Sequence, residues 1–439
     1  MRMLIKNGHV VDPATCTDEV KDILIEDGVI LKTGKALSEE ADDCIDATGC
    51  VVMPGLVDMH SHFREPGFEH KETIRTGARA AARGGYTSVC VMPDTNPVVD
   101  SVDMVQYILD KSKEITDINI MPVAAVTAGQ DGEYLTDFES LHENGAVAVS
   151  EDGRTISNAR VARQAMRLAA ELDVPVLAHC EDVALEARGV MNAGERAKEL
   201  GLYGIMNAVE DVIIARDIVL AKNTGARLHI CHCSTEDSVR MIKLAKEDGL
   251  KVTAEVTPHH FTLTEDDVNG DDANFKIKPP LRSRKDMNTL KEGLQDNIIE
   301  VIASDHAPHH MTEKARPFEE APFGVTSLET AFAVSYTELV DTGVLTLSQM
   351  IEKMSYNPSK ILGIDKGTLM EGKAADITIA DLSDEYVIDS SKFASKGKNT
   401  PFNGKKVKGR IRYTISGGKV VYSYHNGIES IIDKDIPKL

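Results

Sequence analysis

The sequence predicts an α/β fold: a (β/α)₈ TIM barrel carrying a small β-sandwich domain built from both termini. Three observations predict it. Eight short apolar runs alternate with helical stretches through the middle of the chain, both ends are rich in β-branched residues, and residue types that bind metals fall where the apolar runs end.

The N-terminal fifty residues read as β-structure. Leu4–Val11 and Ile23–Leu31 are strand-like, and Asn7-Gly8 and Asp27-Gly28 are hairpin-type dipeptides. The C-terminal end repeats the pattern, with strand-like Ile377–Ile379 and Ile411–Val421 and a turn at Ser416-Gly417-Gly418. Residues 1–53 and 363–439 are therefore expected to form one composite β-domain around a barrel of residues 54–362.

The apolar runs are Leu56–His62, Thr87–Pro93, Ile118–Val126, Ala146–Asp152, Pro175–His179, Arg227–His232, Lys251–Val256 and Ile299–Asp305. Between them, Lys71–Arg83 reads as a helix stopped by Gly84-Gly85. Ala159–Leu172 is amphipathic, and Ser234 with Asp237 suggests a capping box. Eight strands alternating with helices fit a barrel; a doubly wound open sheet is the competing architecture.

Barrel enzymes carry their chemistry where strands end. The first run ends Asp58-Met59-His60-Ser61-His62, with two histidines on one face at a spacing of two. The fourth ends at Glu151-Asp152, the fifth at His179, the sixth at His232 and the eighth at Asp305. Singly, each histidine reads as an ordinary hydrogen-bonded residue; together they converge on one barrel mouth. So many N and O donors exceed one tetrahedral zinc. They suit two divalent metals about 3.5–4 Å apart, which polarise a carbonyl and acidify water for amide hydrolysis or its reverse. Asp305 would carry the proton from water to the leaving nitrogen. Strand alternation sends Cys231 and Cys233 to the face opposite His232, where they pack between barrel and helices. Of His259 and His260, at most one faces the pocket.

Composition narrows the partners. In 439 residues, 49 Lys and Arg against 70 Asp and Glu leave a net charge of −21. That argues against nucleic acid, whose recognition needs a basic footprint, and disfavours anionic membrane surfaces as partners. An anionic substrate would need a locally positive pocket, which bound metals can supply. No apolar stretch suggests a signal peptide or a membrane span, and the odd cysteine count of 7 fits reduced thiols in the cytoplasm.

The segment Asp58–Arg64, following Met53-Pro54-Gly55-Leu56-Val57, resembles the signature of the amidohydrolase superfamily. Its continuation Arg64-Glu65-Pro66-Gly67-Phe68-Glu69-His70-Lys71-Glu72 resembles dihydroorotases of the bacterial monofunctional type. Further similarity follows at Ala303–His309, Ala321-Pro322-Phe323-Gly324, Asn357-Pro358 and Lys398–Phe402. The resemblance spans about Ile45 to Val421. It implies reversible cyclisation of N-carbamoyl-L-aspartate to L-dihydroorotate in pyrimidine biosynthesis, with two Zn²⁺ per subunit. Carried over, His60 and His62 would hold one metal, His179 and His232 the other, and Asp305 would be the catalytic aspartate, also touching a metal. Where relatives use a carbamylated lysine, Ala146–Asp152 holds none; the resemblance and the 27 residues to His179 point to Asp152, with Glu151 as competitor. Arg64 and His309 match residues that grip the substrate carboxylate, and Phe323 and Gly324 match a loop that meets the ring. The family further implies a homodimer and allows association with aspartate transcarbamoylase.

Two positions depart from the resemblance. Asp94 and Lys278 stand where the family has asparagines lining the substrate pocket, and together they suggest an ion pair across it. The alternative is a changed substrate, as in an allantoinase, hydantoinase or dihydropyrimidinase. A non-catalytic scaffold is a further alternative, disfavoured because every expected ligand type is present.

Overall fold

In the computed structural model, which describes residues 1–425 and 427–433, the eight runs form eight strands. They are Leu56–Ser61, Tyr86–Val91, Asn119–Ala125, Ala148–Ser150, Val176–Ala178, Leu228–Ile230, Val252–Val256 and Val301–Ile302. Each pairs in parallel with the next. The ring closes through a bridge between Ser61 and His306, where the His62 N–H donates to the His306 carbonyl at 2.8 Å. Closure distinguishes the barrel from an open doubly wound sheet. Val57, Met59, Cys90, Val123, Leu177 and Val301 pack the interior, and a second apolar layer lies between strands and helices.

Strands from both ends share one nine-stranded sheet. Arg2–Asp12 pairs antiparallel with Thr17–Glu26 and parallel with Val51–Pro54, which pairs antiparallel with Ile377–Val387. Lys406–Ser416 and Lys419–His425 continue the sheet. Ile5, Ile23, Val52, Ile377 and Ile415 form its core, so segments more than three hundred residues apart are buried together.

Local details correct the sequence reading. Asp27-Gly28 is a hairpin turn, but Asn7-Gly8 is a bulge inside a continuous strand, with Asn7 at φ +59 and the register shifting between Ile5 and Gly8. Glycine is needed there because a Cβ would meet Val52 Cγ2 at 2.4 Å. The first barrel helix starts at Ile74, where the Thr73 side chain caps it. The helix Glu236–Glu247 is capped by Thr235, which accepts from the Ser238 N–H, whereas Ser234 donates to Glu210. Among the described residues no helix is long and apolar enough to cross a membrane. All seven cysteines are free thiols.

Asp58 ties the first strand to the eighth. Its buried carboxylate accepts from the Ser304 N–H at 2.8 Å and the Ser304 hydroxyl at 2.6 Å, and burial pushes its pKa up to about 7. Ser304 in turn reaches the His60 carbonyl at 3.2 Å. Ser304→Ala leaves one buried carboxylate oxygen unsatisfied and should cost about 1–3 kcal/mol, seen as a lower melting temperature. An unchanged melting temperature would remove this pair from barrel closure.

Candidate metal centre

The strand ends bring six side chains into one buried cluster. His60 Nε2 lies 3.4 Å from Asp152 Oδ1 and 3.6 Å from Asp305 Oδ1. His62 Nε2 lies 3.4 Å from Asp152 Oδ2 and 3.3 Å from Asp305 Oδ1. On the other side, His179 Nδ1 and His232 Nε2 lie 3.4 and 3.6 Å from Asp152 Oδ1 and 2.9 Å from each other. In three sets the donor atoms lie within 4.8 Å of one another: one joins His60 and Asp152 to the Cys231 thiol, and the six side chains make the other two, His60 with His62 and Asp305, and Asp152 with His179 and His232. Asp152 faces both. Glu151 turns away to the Thr127 N–H and hydroxyl.

Backbone irregularity aims these groups. The register slips between Asp58 and Ser61, and both first-strand imidazoles reach the cluster, their centroids 5.4 Å apart. His232 and Asp305 have φ of +33 and +45, conformations that persist only where surrounding structure holds them. The sixth strand ends at Ile230, so alternation does not extend to His232. This corrects the cysteine reading. Cys231 lies inside the barrel, its thiol grouped with His60 and Asp152, and only Cys233 packs in the layer beneath the helices.

The donor set fits a pair of cations. His60 Nε2 and Asp152 Oδ1 are buried with no hydrogen-bond partner, a costly arrangement unless something else meets them. Behind three of the imidazoles stands a carboxylate. His60 Nδ1 donates to Glu255 at 2.6 Å, His62 Nδ1 to Asp94 at 2.8 Å and His179 Nε2 to Glu181 at 2.8 Å. Such contacts fix the tautomer and leave the other nitrogen bare for a metal. Sequence reasoning missed Glu255 and Glu181. Their signal was position, since Glu255 sits on the seventh strand and Glu181 two residues past His179.

Electrostatics say the same. Burial lowers the His62 pKa, but the Asp94 charge and hydrogen bonds to Asp305 and Asp94 raise it to about 9. His179 is likewise lowered by burial and then raised to about 10 through its hydrogen bonds with Asp152 and Glu181. Burial opposes ionisation of Asp305, yet the His60 charge and the His62 hydrogen bond hold it below the usual carboxylate range. The carboxylates thus demand positive charge, as protons on imidazole or as metal ions.

The residues expected to contact substrate lie around this cluster. Arg64 Nη1 donates to Asp94 Oδ2 at 2.6 Å, and its Nε points to the Pro308 carbonyl at 3.4 Å. Lys278 Nζ lies 2.9 Å from Glu181 and 2.7 Å from Glu186, 4.6 Å from the centroid of the Phe323 ring. Asp94 and Lys278 therefore do not pair with each other, because each has nearer partners of opposite charge. His309 donates from Nε2 to the Phe323 carbonyl at 2.7 Å; burial, then the charges of Arg64 and Lys71, keep its imidazole neutral. Gly324, at φ +122, leaves no room for a Cβ, which would come within 2.9 Å of Ala307. Lys314 is buried and donates to the Pro322 and Gly324 carbonyls, both at 2.9 Å. His259 and His260 are both buried, and His260 bonds Thr257 and the Pro279 carbonyl.

Comparison with known proteins agrees. A profile of the family described as dihydro-orotase-like matches residues 49–238. A dihydroorotase from Acetivibrio thermocellus is 48% identical over 95% of this chain and 98% of its own. Another from Syntrophus aciditrophicus is 48% identical over 96% of this chain and 99% of its own. Among solved structures, the L-hydantoinase (dihydropyrimidinase) from Arthrobacter aurescens superposes with a TM-score of 0.86 at 26% identity, covering 98% of each chain.

Metal ions and protons compete for these histidines, which gives a signed pH effect. A raised imidazole pKa stabilises the metal-free fold below the unfolded value near 6.5, and that stability is lost as pH rises through about 9 and 10. Metal binding strengthens over the same window. The gap in melting temperature between metal-loaded and chelator-stripped protein should widen from pH 6.5 to pH 9.5. A constant or narrowing gap would contradict this account of the cluster.

Proposed function

The chain belongs to the dihydroorotase family, and from that premise we propose that it interconverts N-carbamoyl-L-aspartate and L-dihydroorotate at a binuclear metal centre held by His60, His62, Asp152, His179, His232 and Asp305. The observation that carries this reading is Asp152, one buried carboxylate facing two histidine pairs. Zinc is the proposed metal, with two ions per subunit. A cytoplasmic homodimer, able to associate with aspartate transcarbamoylase, completes the proposal.

A metal pair at this position supplies Lewis-acid polarisation of the ring carbonyl and an acidified water. The residues of the chain do the rest. In the hydrolytic direction the water oxygen joins the carbonyl carbon, the ring C–N bond breaks and the nitrogen takes a proton. Asp305, ionised, accepts the proton from water at a carboxylate oxygen and passes it to that nitrogen. Arg64, held at the mouth by Asp94 and Pro308, receives the ring carboxylate. His309 holds the Phe323 carbonyl, which fixes the Phe323-Gly324 segment against the ring. The tight fit of Gly324 beside Ala307 keeps that backbone close.

The second reading, a hydantoinase or dihydropyrimidinase, is favoured by one observation. The Arg64 fork already meets a protein carboxylate, that of Asp94, so a substrate carboxylate would share it. Turnover of L-dihydroorotate, dihydrouracil, hydantoin and allantoin by the zinc-loaded enzyme decides between them. The account expects dihydroorotate to be preferred. Arg64→Met should lower that preference over dihydrouracil by about 10–100-fold, the worth of a charge-assisted contact; an unchanged ratio would remove Arg64 from carboxylate recognition. Asp305→Asn should lower kcat by about 10²–10⁴-fold on every substrate turned over.

A further inference from the structure

We propose that Asp94 and Lys278 act on the two metal positions through the histidines, as links in parallel cation–carboxylate–histidine relays. This rests on the binuclear reading above and deepens it. One relay runs from Arg64 Nη1 to Asp94 Oδ2 at 2.6 Å and from Asp94 Oδ1 to His62 Nδ1 at 2.8 Å. The other runs from Lys278 Nζ to Glu181 Oε1 at 2.9 Å and from Glu181 Oε2 to His179 Nε2 at 2.8 Å. His62 lies in the donor group with Asp305, and His179 in the group with His232, so each relay ends on a different metal position.

The geometry favours this role over direct contact with substrate. Both oxygens of Asp94 are engaged, one by an imidazole and one by a guanidinium. An anionic substrate gains nothing from a carboxylate in that place. The Lys278 ammonium bridges two carboxylates, Glu181 and Glu186, which would otherwise repel each other beside His179. Its further contact is the face of the Phe323 ring at 4.6 Å. By pinning Glu181, Lys278 keeps the carboxylate aligned on the His179 N–H, and the opposite ring nitrogen then points at Asp152 and His232. In the other relay Arg64 does the same for Asp94 and His62. An asparagine at position 94 would offer one acceptor oxygen in place of two, and at position 278 would bring no positive charge between Glu181 and Glu186. Asp94 and Lys278 are positioning residues in this account.

The test is stepwise metal affinity, measured by competition with a chelator for zinc, together with the visible absorption of the cobalt-substituted protein. Asp94→Asn and Lys278→Met are close to isosteric, and Lys278→Arg keeps the cation. Each of the first two should weaken one of the two metal-binding steps by about 10–100-fold, the usual effect of losing a group behind a ligand, and should shift the cobalt bands. The weakened step should differ between them, and Lys278→Arg should restore it. If both steps and the cobalt spectrum are unchanged in both variants while KM for dihydroorotate rises, the two residues are substrate contacts and the relays are wrong. Equal weakening of both steps in every variant, Lys278→Arg included, would overturn the assignment of one relay to each position. Wild-type protein that takes up no zinc overturns the binuclear reading and the relays with it, whereas two tight steps indifferent to both substitutions remove the relays alone.

Discussion

A buried carboxylate shared by four imidazoles is the constraint around which this molecule is arranged. Asp152 is almost wholly inside the protein, and so are His60, His62, His179 and His232. Negative charge at such depth is expensive unless something positive stands against it. The barrel provides the means, since strands from different parts of the chain end at one mouth and each needs to contribute only one or two residues. Closure through Ser61 and His306 places the first strand beside the eighth, and so brings His60 and His62 to Asp305. Asp58 and Ser304 hold that seam with buried hydrogen bonds. The apparatus around the cluster has the same logic at longer range. Glu255, Asp94 and Glu181 take the outward-facing nitrogens of three histidines, and Arg64 and Lys278 neutralise two of those carboxylates.

Much of this was legible in the sequence, for identifiable reasons. Strands buried on both faces read as apolar runs, and a polar residue closing such a run marks where the strand leaves the core. That is why His179 and Asp305 could be placed before any contact was known. Alternation alone could not choose between Glu151 and Asp152, because adjacent residues at a strand end differ only in the twist of the last peptide; the resemblance and the 27 residues to His179 pointed to Asp152, the one that faces the cluster. Cys231 shows the limit of periodicity. The rule of two holds to Ile230, but His232 adopts a left-handed conformation and reaches the cluster against the alternation. Asn7-Gly8 fails for a related reason: a dipeptide that favours positive φ serves a bulge as readily as a turn. The partners of Asp94 and Lys278 were out of reach altogether. Oppositely charged residues in one pocket suggest a pair, yet Arg64, Glu181 and Glu186 are nearer, and only tertiary distances reveal that.

The division between chemistry and recognition follows from the same geometry. The groups proposed to bind metal occupy strand ends and are held by the barrel. Of the groups assigned to the substrate, Arg64 follows the first strand, whereas His309, Phe323 and Gly324 occupy a loop that is fixed by other means. Lys276 donates to the Phe318 and Glu319 carbonyls of that loop, and within it Lys314 and His309 donate to the Pro322, Gly324 and Phe323 carbonyls.

The central claim is that Asp152 lies between two metal ions. Electron paramagnetic resonance of protein reconstituted with manganese tests it most directly, because two ions sharing a carboxylate at short distance are magnetically coupled. The account predicts a coupled-pair spectrum that is lost in Asp152→Ala. A six-line signal from isolated ions in the wild-type protein, at full occupancy, would contradict it.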